Sequence, residues 1–312
     1  MVTIATDRRD RIAALRYDYA AQPKQALTSC NLCGEAEFVV LTHRDRYGYP
    51  AEAHACRRCG LVFLNPQMTA EAYGRFYNGV YRPLVSAFHG RLIDARTIQD
   101  EQREYAIERA DFLRPFIAGS GARTLLDIGG STGVVAHHFV REFGLRGMLI
   151  DPAPLEVEEA RRLGLETVTG LVEEHDFGNE HFDLVVICQT VDHLLDVRGT
   201  LARVRQLLSQ RSLLFVDIVD FRAAYLRNWS VESAIKIDHP YYLTEETMGA
   251  YLRKSGFGIL RSDYAADHLH VSYICRPDTA DDKTLPTPAS VDELLREVRY
   301  VQNVAPGAGP KA

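Results

Sequence analysis

Two Cys-x-x-Cys pairs, Cys30-Asn31-Leu32-Cys33 and Cys56-Arg57-Arg58-Cys59, constrain the first part of this 312-residue chain more than any other feature. Each pair is followed by a glycine, and 22 residues separate them. At that spacing a pair forms a tight knuckle whose two thiolates occupy half of a tetrahedron, so two knuckles joined by a hairpin make a zinc ribbon. Arg44 to Pro50 supplies turn residues for the hairpin. Four thiolates close the shell, so the metal contributes folding energy and has no open position for a substrate. A redox pair, two disulfides or fortuitous spacing are the alternatives. His43 and His54 lie nearby and could substitute as ligands, but Cys30, Cys33, Cys56 and Cys59 already complete the set. The other two cysteines, Cys188 and Cys275, fall in apolar runs and read as small buried side chains.

In a reducing compartment such cysteines are ligands more readily than disulfides, and the rest of the sequence points to the cytoplasm. Arg8, Arg9, Arg11 and Arg16 near the N-terminus are not followed by an apolar core, so no secretory signal is expected. The longest apolar runs, Leu184 to Cys188 and Leu213 to Val216, are too short to cross a bilayer. A net charge of −6 gives no global field for a phosphate backbone, which argues against nucleic acid as partner. A homodimer is compatible with the sequence, which does not fix the oligomeric state.

Composition shifts divide the chain into five parts. Residues 1–27 are a charged lead with an apolar series (Ile12, Leu15, Tyr19) that suits a short helix, and residues 28–66 are the β-rich cysteine module. Residues 67–121 read as a helical connector broken by Gly79, Pro83 and Gly90. Residues 122–276 alternate short apolar strands with helical stretches, which implies a mainly parallel sheet covered on both faces. The expected strands are Thr124–Ile128, Met148–Ile150, Glu166–Thr169, Phe182–Cys188, Leu213–Val219, Gly258–Ser262 and His268–Cys275. Residues 277–312 form a tail with one amphipathic stretch (Val291, Leu294, Leu295, Val298) and a Gly/Pro end expected to be disordered.

Between the first strand and first helix of the α/β part lies Leu125-Leu126-Asp127-Ile128-Gly129-Gly130-Ser131-Thr132-Gly133. Glycines there allow positive φ and a close ligand approach, and the following helix N-terminus favours an anionic group. Asp151 ends the next strand, 24 residues after Asp127, where a carboxylate can accept both hydroxyls of a ribose. On these residues the chain resembles the class I S-adenosylmethionine-dependent methyltransferases, whose first motif is Asp-x-Gly-x-Gly-x-Gly. Asp127, Gly129 and Gly133 coincide with it, Gly130 takes its variable position, and Ser131 replaces the middle glycine. The resemblance implies a Rossmann-like sheet of seven strands, mostly parallel with the last one antiparallel. It implies that Asp151 holds the ribose, that Asp127 and the turn face the methionine portion, and that the Val172 region borders adenine. Gln189, at the end of the fourth strand, is expected to touch the cofactor. Tyr77 and Tyr81 are expected to reach across from the connector and close the pocket.

The cysteine module, the run Gly60 to Pro66, Phe76-Tyr77 and Tyr81 together are similar to a bacterial group that includes sugar-nucleotide C-methyltransferases and methyltransferases of saccharide gene clusters. That resemblance implies a sugar nucleotide or saccharide as acceptor. Methyl transfer is an in-line displacement that needs an aligned nucleophile and, for a hydroxyl or carbon acid, a base. His193 follows the fourth strand, at the carboxyl edge where ligands bind. Lys236-Ile237-Asp238-His239 resembles the group's Tyr-x-Glu-His segment, with Asp238 placed to orient His239. Either histidine is a candidate base. The competing readings are methylation of a secondary-metabolite hydroxyl or an amine, a zinc-ribbon binding module with a nucleotide-sensing domain, and an NAD-dependent enzyme.

Overall fold

Short apolar stretches beside the two cysteine knuckles pair as antiparallel strands in the computed structural model, which describes residues 7–280 and 282–304. The first part of the chain holds helix α1 (Arg8–Ala13), strands β1 (Lys24–Gln25), β2 (Phe38–Thr42), β3 (Ala53–Cys56), β4 (Val62–Leu64) and β5 (Gln67–Met68), then helices α2 (Ala70–Gly79) and α3 (Tyr81–His89). The lead helix is shorter than its apolar series suggests. Ile12 lies within α1, whereas Leu15 and Tyr19 fall beyond it, because Arg16 takes a left-handed φ of 52° that a right-handed helix cannot continue. Pro83 does not break the connector. It sits in the first turn of α3, where its missing N–H is not needed, and the breaks are Gly79 at the end of α2 and Gly90 capping α3 with φ 70°.

The chain continues through α4 (Gln99–Ile117), β6 (Thr124–Ile128), α5 (Val134–Phe143), β7 (Arg146–Asp151), α6 (Pro154–Arg162), β8 (Glu166–Thr169), β9 (Phe182–Cys188), α7 (Val197–Gln206) and β10 (Leu208–Val219). It ends with α8 (Phe221–Asn228), α9 (Val231–Ala234), β11 (Tyr241–Tyr242), α10 (Glu245–Lys254), β12 (Phe257–Tyr264), β13 (His270–Pro277) and α11 (Pro288–Asn303). Seven strands form one sheet in the order β12-β13-β10-β9-β6-β7-β8. The run from β10 to β8 is parallel, and β13 is antiparallel to both its neighbours. That last strand starts two residues later than expected, since His268 takes φ 53° in the turn before it. Between β6 and β9 the strand order reverses direction, which opens a crevice beyond the carboxyl ends of these two strands.

Strands covered on both faces send alternate residues into two layers. Leu126, Ile128, Val185, Ile187 and Leu214 pack with Val197, Leu201, Met248 and Leu252 of α7 and α10. Leu125, Leu184, Val186 and Phe215 pack with Leu113, Phe139 and Val157 of α4, α5 and α6. Phe215 lies with its ring centroid 6.3 Å from Phe112 and 6.0 Å from Phe139, so truncating it to alanine should cost about 3–5 kcal/mol.

The cysteine ribbon is built into this body. Cys30, Leu32, Cys56, Cys59 and Phe63 belong to the same buried layer as α10, and Lys254 Nζ donates to the Leu32 carbonyl at 2.6 Å. Strand β11, from the loop between α9 and α10, pairs with β4 and completes a four-stranded sheet in the order β11-β4-β3-β2. Helix α11, capped by Thr287, buries Val291, Leu294, Leu295 and Val298 in the layer that holds Val62 and Leu64. The Gly/Pro end, 305–312, lies outside the described residues. No helix among the described residues is long and apolar enough to cross a membrane.

Candidate active site

Strand β6 carries Asp127 to the crevice, and the backbone after it runs through three left-handed positions: Gly129 (φ 68°), Ser131 (φ 53°) and Gly133 (φ 76°). A Cβ on Gly129 would lie 2.2 Å from Thr190 Cγ2, and one on Gly130 would lie 2.1 Å from Asp127 Oδ2. Space therefore demands glycine at both. Ser131, in the place of the motif's middle glycine, is held in its unfavourable conformation by two bonds. Its N–H donates to Asp151 Oδ2 at 2.9 Å, and its hydroxyl donates to Glu156 Oε2 at 3.0 Å. Arg82 of α3 grips the same Glu156 through Nε and Nη2 at 3.0 and 2.8 Å, which ties the connector to the turn.

Asp127 is fully buried, and neither carboxylate oxygen has a hydrogen-bond partner. Burial, with the Asp151 charge added, pushes its pKa up to about 8. Burial also raises Asp151 to about 6, against the N–H groups of Ala153 and Ser131 that favour its charged form. An orphaned buried carboxylate is costly unless a ligand supplies donors or positive charge. This donor-poor acid, the cradle above Gly129 and Gly130, and the second acid at the end of β7 fit S-adenosylmethionine, which carries an ammonium, a sulfonium and two ribose hydroxyls. Gln189 stands exposed beside the turn in a left-handed conformation, φ 51°. Val172 is 2% exposed in the core with Phe177, and its neighbour Leu171 is exposed.

On the far side of the crevice, a short turn after β9 carries Asp192 and His193, and the loop before β11 carries Lys236, Asp238 and His239. The two imidazole centroids are 4.4 Å apart. His239 Nδ1 lies 2.7 Å from Asp192 Oδ2, and its Nε2 lies 3.3 Å from Asp238 Oδ2 and 3.4 Å from Lys236 Nζ. Burial lowers the pKa of His239, but the Asp192 and Asp238 carboxylates outweigh it and the net shift is upward. Both carboxylates sit well below their usual range, because His239 and its cationic neighbours overcome the desolvation that would raise them. His193 goes the other way, down to about 4, through burial and the adjacent His239.

Tyr77 reaches across from α2, as its place in the connector suggests. Its hydroxyl donates to the Asp238 carbonyl and lies 2.7 Å from His193 Nδ1. A phenol has one proton, so with that proton given to the carbonyl, His193 Nδ1 must be the donor in the second bond. With its pKa lowered to about 4 the imidazole is neutral at pH 7, and the one proton it keeps is on Nδ1, with Nε2 left as a lone pair. Tyr81 packs edge-on to Tyr77 at 5.4 Å and to His193 at 6.4 Å.

At the ribbon end, the cysteine sulfurs all lie within 4.8 Å of one another, with Cys30–Cys59 and Cys33–Cys56 each at 3.5 Å. None of the four is in a disulfide. A tetrahedral zinc with bonds of about 2.3 Å needs sulfurs roughly 3.8 Å apart, so the quartet fits the metal.

Several residues were not singled out by sequence reasoning. Asp192 could have been found, since it directly precedes His193. Lys236 stood only where the related segment has tyrosine. Arg82 and Glu156 gave no signal, because the 74 positions between them are closed only by the fold. Tyr225 of α8 and Trp229 just beyond it pack on α11, Tyr225 through Glu297 and Trp229 at 6.2 Å from Tyr300.

The family-model match agrees with this architecture. Residues 98–262, more than half of the chain, match the family model of a methyltransferase domain. Among solved structures the chain is similar to an S-adenosylmethionine-dependent methyltransferase from Clostridium acetobutylicum at 14% identity, covering 66% of this chain and 99% of that one with a TM-score of 0.45. It is also similar to the magnesium protoporphyrin IX methyltransferase of Synechocystis with bound cofactor, at 12% identity, 65% and 94% coverage and a TM-score of 0.47. A possible histamine N-methyltransferase from Thermotoga maritima is 18% identical, with 58% and 96% coverage and a TM-score of 0.42. No curated protein matches in sequence. None of these structural likenesses is close enough to speak for a substrate. The family match extends from α4 to β12, across the glycine turn and His193, and the chain belongs to the methyltransferase domain family with the class I, S-adenosylmethionine-dependent fold.

Proposed function

We propose that this methyltransferase acts on a hydroxyl or acidic carbon of a polar small molecule, a sugar nucleotide or saccharide, with His193 as general base. The observation that carries the base assignment is the Tyr77 hydroxyl, which gives its proton to the Asp238 carbonyl and leaves His193 Nε2 a free lone pair. S-adenosylmethionine supplies the electrophilic methyl on a sulfonium centre. Asp127 and the Gly129–Gly133 turn hold its methionine end, Asp151 its ribose, and Leu171-Val172 flank the adenine, with Gln189 at the rim. His239, clamped by Asp192 and Asp238, is the fixed positive charge beside the acceptor, and Tyr81 helps to exclude water. From connector residues 67–121, Tyr77, Tyr81 and Arg82 roof the site, and ribbon residues 28–66 brace the Asp238–His239 segment. Cys30, Cys33, Cys56 and Cys59 hold one structural zinc in a closed shell that takes no part in the reaction.

A base must be deprotonated to work, so the rate falls as pH drops through its pKa. With His193 as base, the acidic limb of kcat/KM lies near pH 4. With His239 as base it lies above pH 6.5. Radiolabelled methyl transfer to a panel of nucleoside diphosphate sugars and free saccharides tests both parts. On any acceptor that turns over, His193→Ala should lose roughly 10²-fold or more in kcat with unchanged S-adenosylhomocysteine affinity. Wild-type turnover in that variant removes the base, and transfer only to amines removes the acceptor class.

A further inference from the structure

Asp45 lies in the ribbon hairpin between β2 and β3, far in sequence from every group given a catalytic role, yet it is 0% exposed. Its carboxylate makes three bonds to backbone. Oδ1 accepts the N–H groups of Tyr47 at 3.0 Å and Tyr49 at 2.9 Å, and Oδ2 accepts the N–H of Ile237 at 3.0 Å. The first two shape the hairpin, as an aspartate commonly does in a turn. The third crosses 192 positions to the segment that carries Asp238 and His239.

The same segment is fastened to the ribbon on both sides of that bond. The Arg46 N–H donates to the Ile235 carbonyl at 2.9 Å. The Leu64 N–H and Gln67 Nε2 both donate to the Pro240 carbonyl, at 2.9 and 3.1 Å. Immediately beyond Pro240, β11 pairs with β4. Two peptides beyond the Asp45 contact is the Asp238 carbonyl, the acceptor of the Tyr77 proton. Nothing about hairpin formation requires Oδ2 to reach Ile237, since Tyr47 and Tyr49 are served by Oδ1 alone.

We infer that Asp45 is a positioning residue: by fixing the peptide at Ile237 it holds the Asp238 carbonyl under Tyr77, and so keeps the proton of His193 on Nδ1. The ribbon is thereby coupled to the catalytic centre through its hairpin rather than through its cysteines. This rests on the reading of His193 as the base.

The test uses full-length Asp45→Asn protein saturated with S-adenosylhomocysteine and labelled with 15N histidine, so that no acceptor is needed. Asparagine keeps one oxygen for the hairpin but turns an amide N–H toward the Ile237 N–H, which breaks only the long-range bond. Asp45→Ser, whose shorter hydroxyl can still serve the turn without reaching Ile237, gives the same reading if the asparagine variant does not fold. In wild-type protein the His193 signals should report a single Nδ1–H tautomer and a pKa near 4. In the variant they should report mixed tautomers and a pKa higher by about one unit or more, as His193 loosens from His239, Asp192, Asp238, Lys236, Tyr77 and Tyr81. Zinc content and S-adenosylhomocysteine affinity should stay within about twofold, because neither the cysteines nor the glycine turn is touched. An unchanged tautomer and pKa would overturn the inference, and so would a change accompanied by loss of zinc or cofactor affinity, the mark of a merely structural role. Wild-type turnover in His193→Ala, by contrast, defeats the base assignment itself whatever Asp45 does.

Discussion

Replacing Asp127 with asparagine should make the ligand-free protein more stable at neutral pH and a poorer binder of its cofactor. The carboxyl has a folded-state pKa of about 8 against an ordinary value of 3.8, with both oxygens buried and unpartnered. A raised carboxyl pKa means that the folded state holds the proton more tightly than the unfolded chain. The stability linked to it is fully present below pH 3.8 and is lost as pH rises toward 8. At pH 7 the loss is at most about 4 kcal/mol, at 1.36 kcal/mol per unit, and at pH 5 it shrinks to less than half of that. Asparagine never ionises in either state and escapes this loss. Calorimetric melting should therefore show the variant higher at pH 7 by up to roughly 10 °C, and by a much smaller margin at pH 5. Cofactor binding should move oppositely. A cationic ligand draws the proton off Asp127, so wild-type protein should release a proton on binding near pH 7, measurable by titration calorimetry in buffers of different ionisation enthalpy. The variant should release none, and losing a charge-assisted contact should weaken S-adenosylmethionine roughly 10- to 100-fold. Equal melting temperatures at pH 7 together with unchanged affinity would refute the reasoning.

The turn and its neighbours give further expectations. Gly129→Ala must adopt φ 68° and place a methyl 2.2 Å from Thr190 Cγ2, so S-adenosylhomocysteine affinity should fall at least tenfold, with part restored by a second change, Thr190→Gly. Arg82→Ala leaves Glu156 without its cation, which should cost about 1–3 kcal/mol in stability and weaken cofactor binding, and lysine should not restore the bidentate grip. Freshly purified protein should contain about one zinc per chain, and Cys56→Ser should lose most of it along with thermal stability. Metal analysis that finds no zinc in the wild type would contradict the site.

What could be read in the sequence was whatever depends on near neighbours. The strands ending at Asp127, Asp151 and Cys188 announce themselves by apolar runs, and the glycines at 129, 130 and 133 by a turn that leaves no room for side chains. The seventh strand was legible, its direction only through the family resemblance, and its start was misplaced because a left-handed His268 has no mark in the sequence. The two-residue strands Lys24–Gln25 and Tyr241–Tyr242 were invisible, since they exist only by pairing with Gln67–Met68 and Val62–Phe63. In the candidate site the histidines were named, but their difference in charge was not. That difference comes from Asp192 against His239 and from Tyr77 against His193, contacts spanning 47 and 116 positions. The length of the lead helix and the role of Pro83 were misjudged for a related reason: Arg16 at φ 52° and a proline in a first helical turn both act through backbone geometry rather than polarity.

The most direct test of the central claim is titration calorimetry of the purified full-length protein with S-adenosylhomocysteine and, separately, with NAD. The account predicts one S-adenosylhomocysteine site per chain with a dissociation constant on the order of micromolar, about −8 kcal/mol, lost on substitution at Gly129, and no heat with NAD. Binding of NAD with no response to S-adenosylhomocysteine would contradict it.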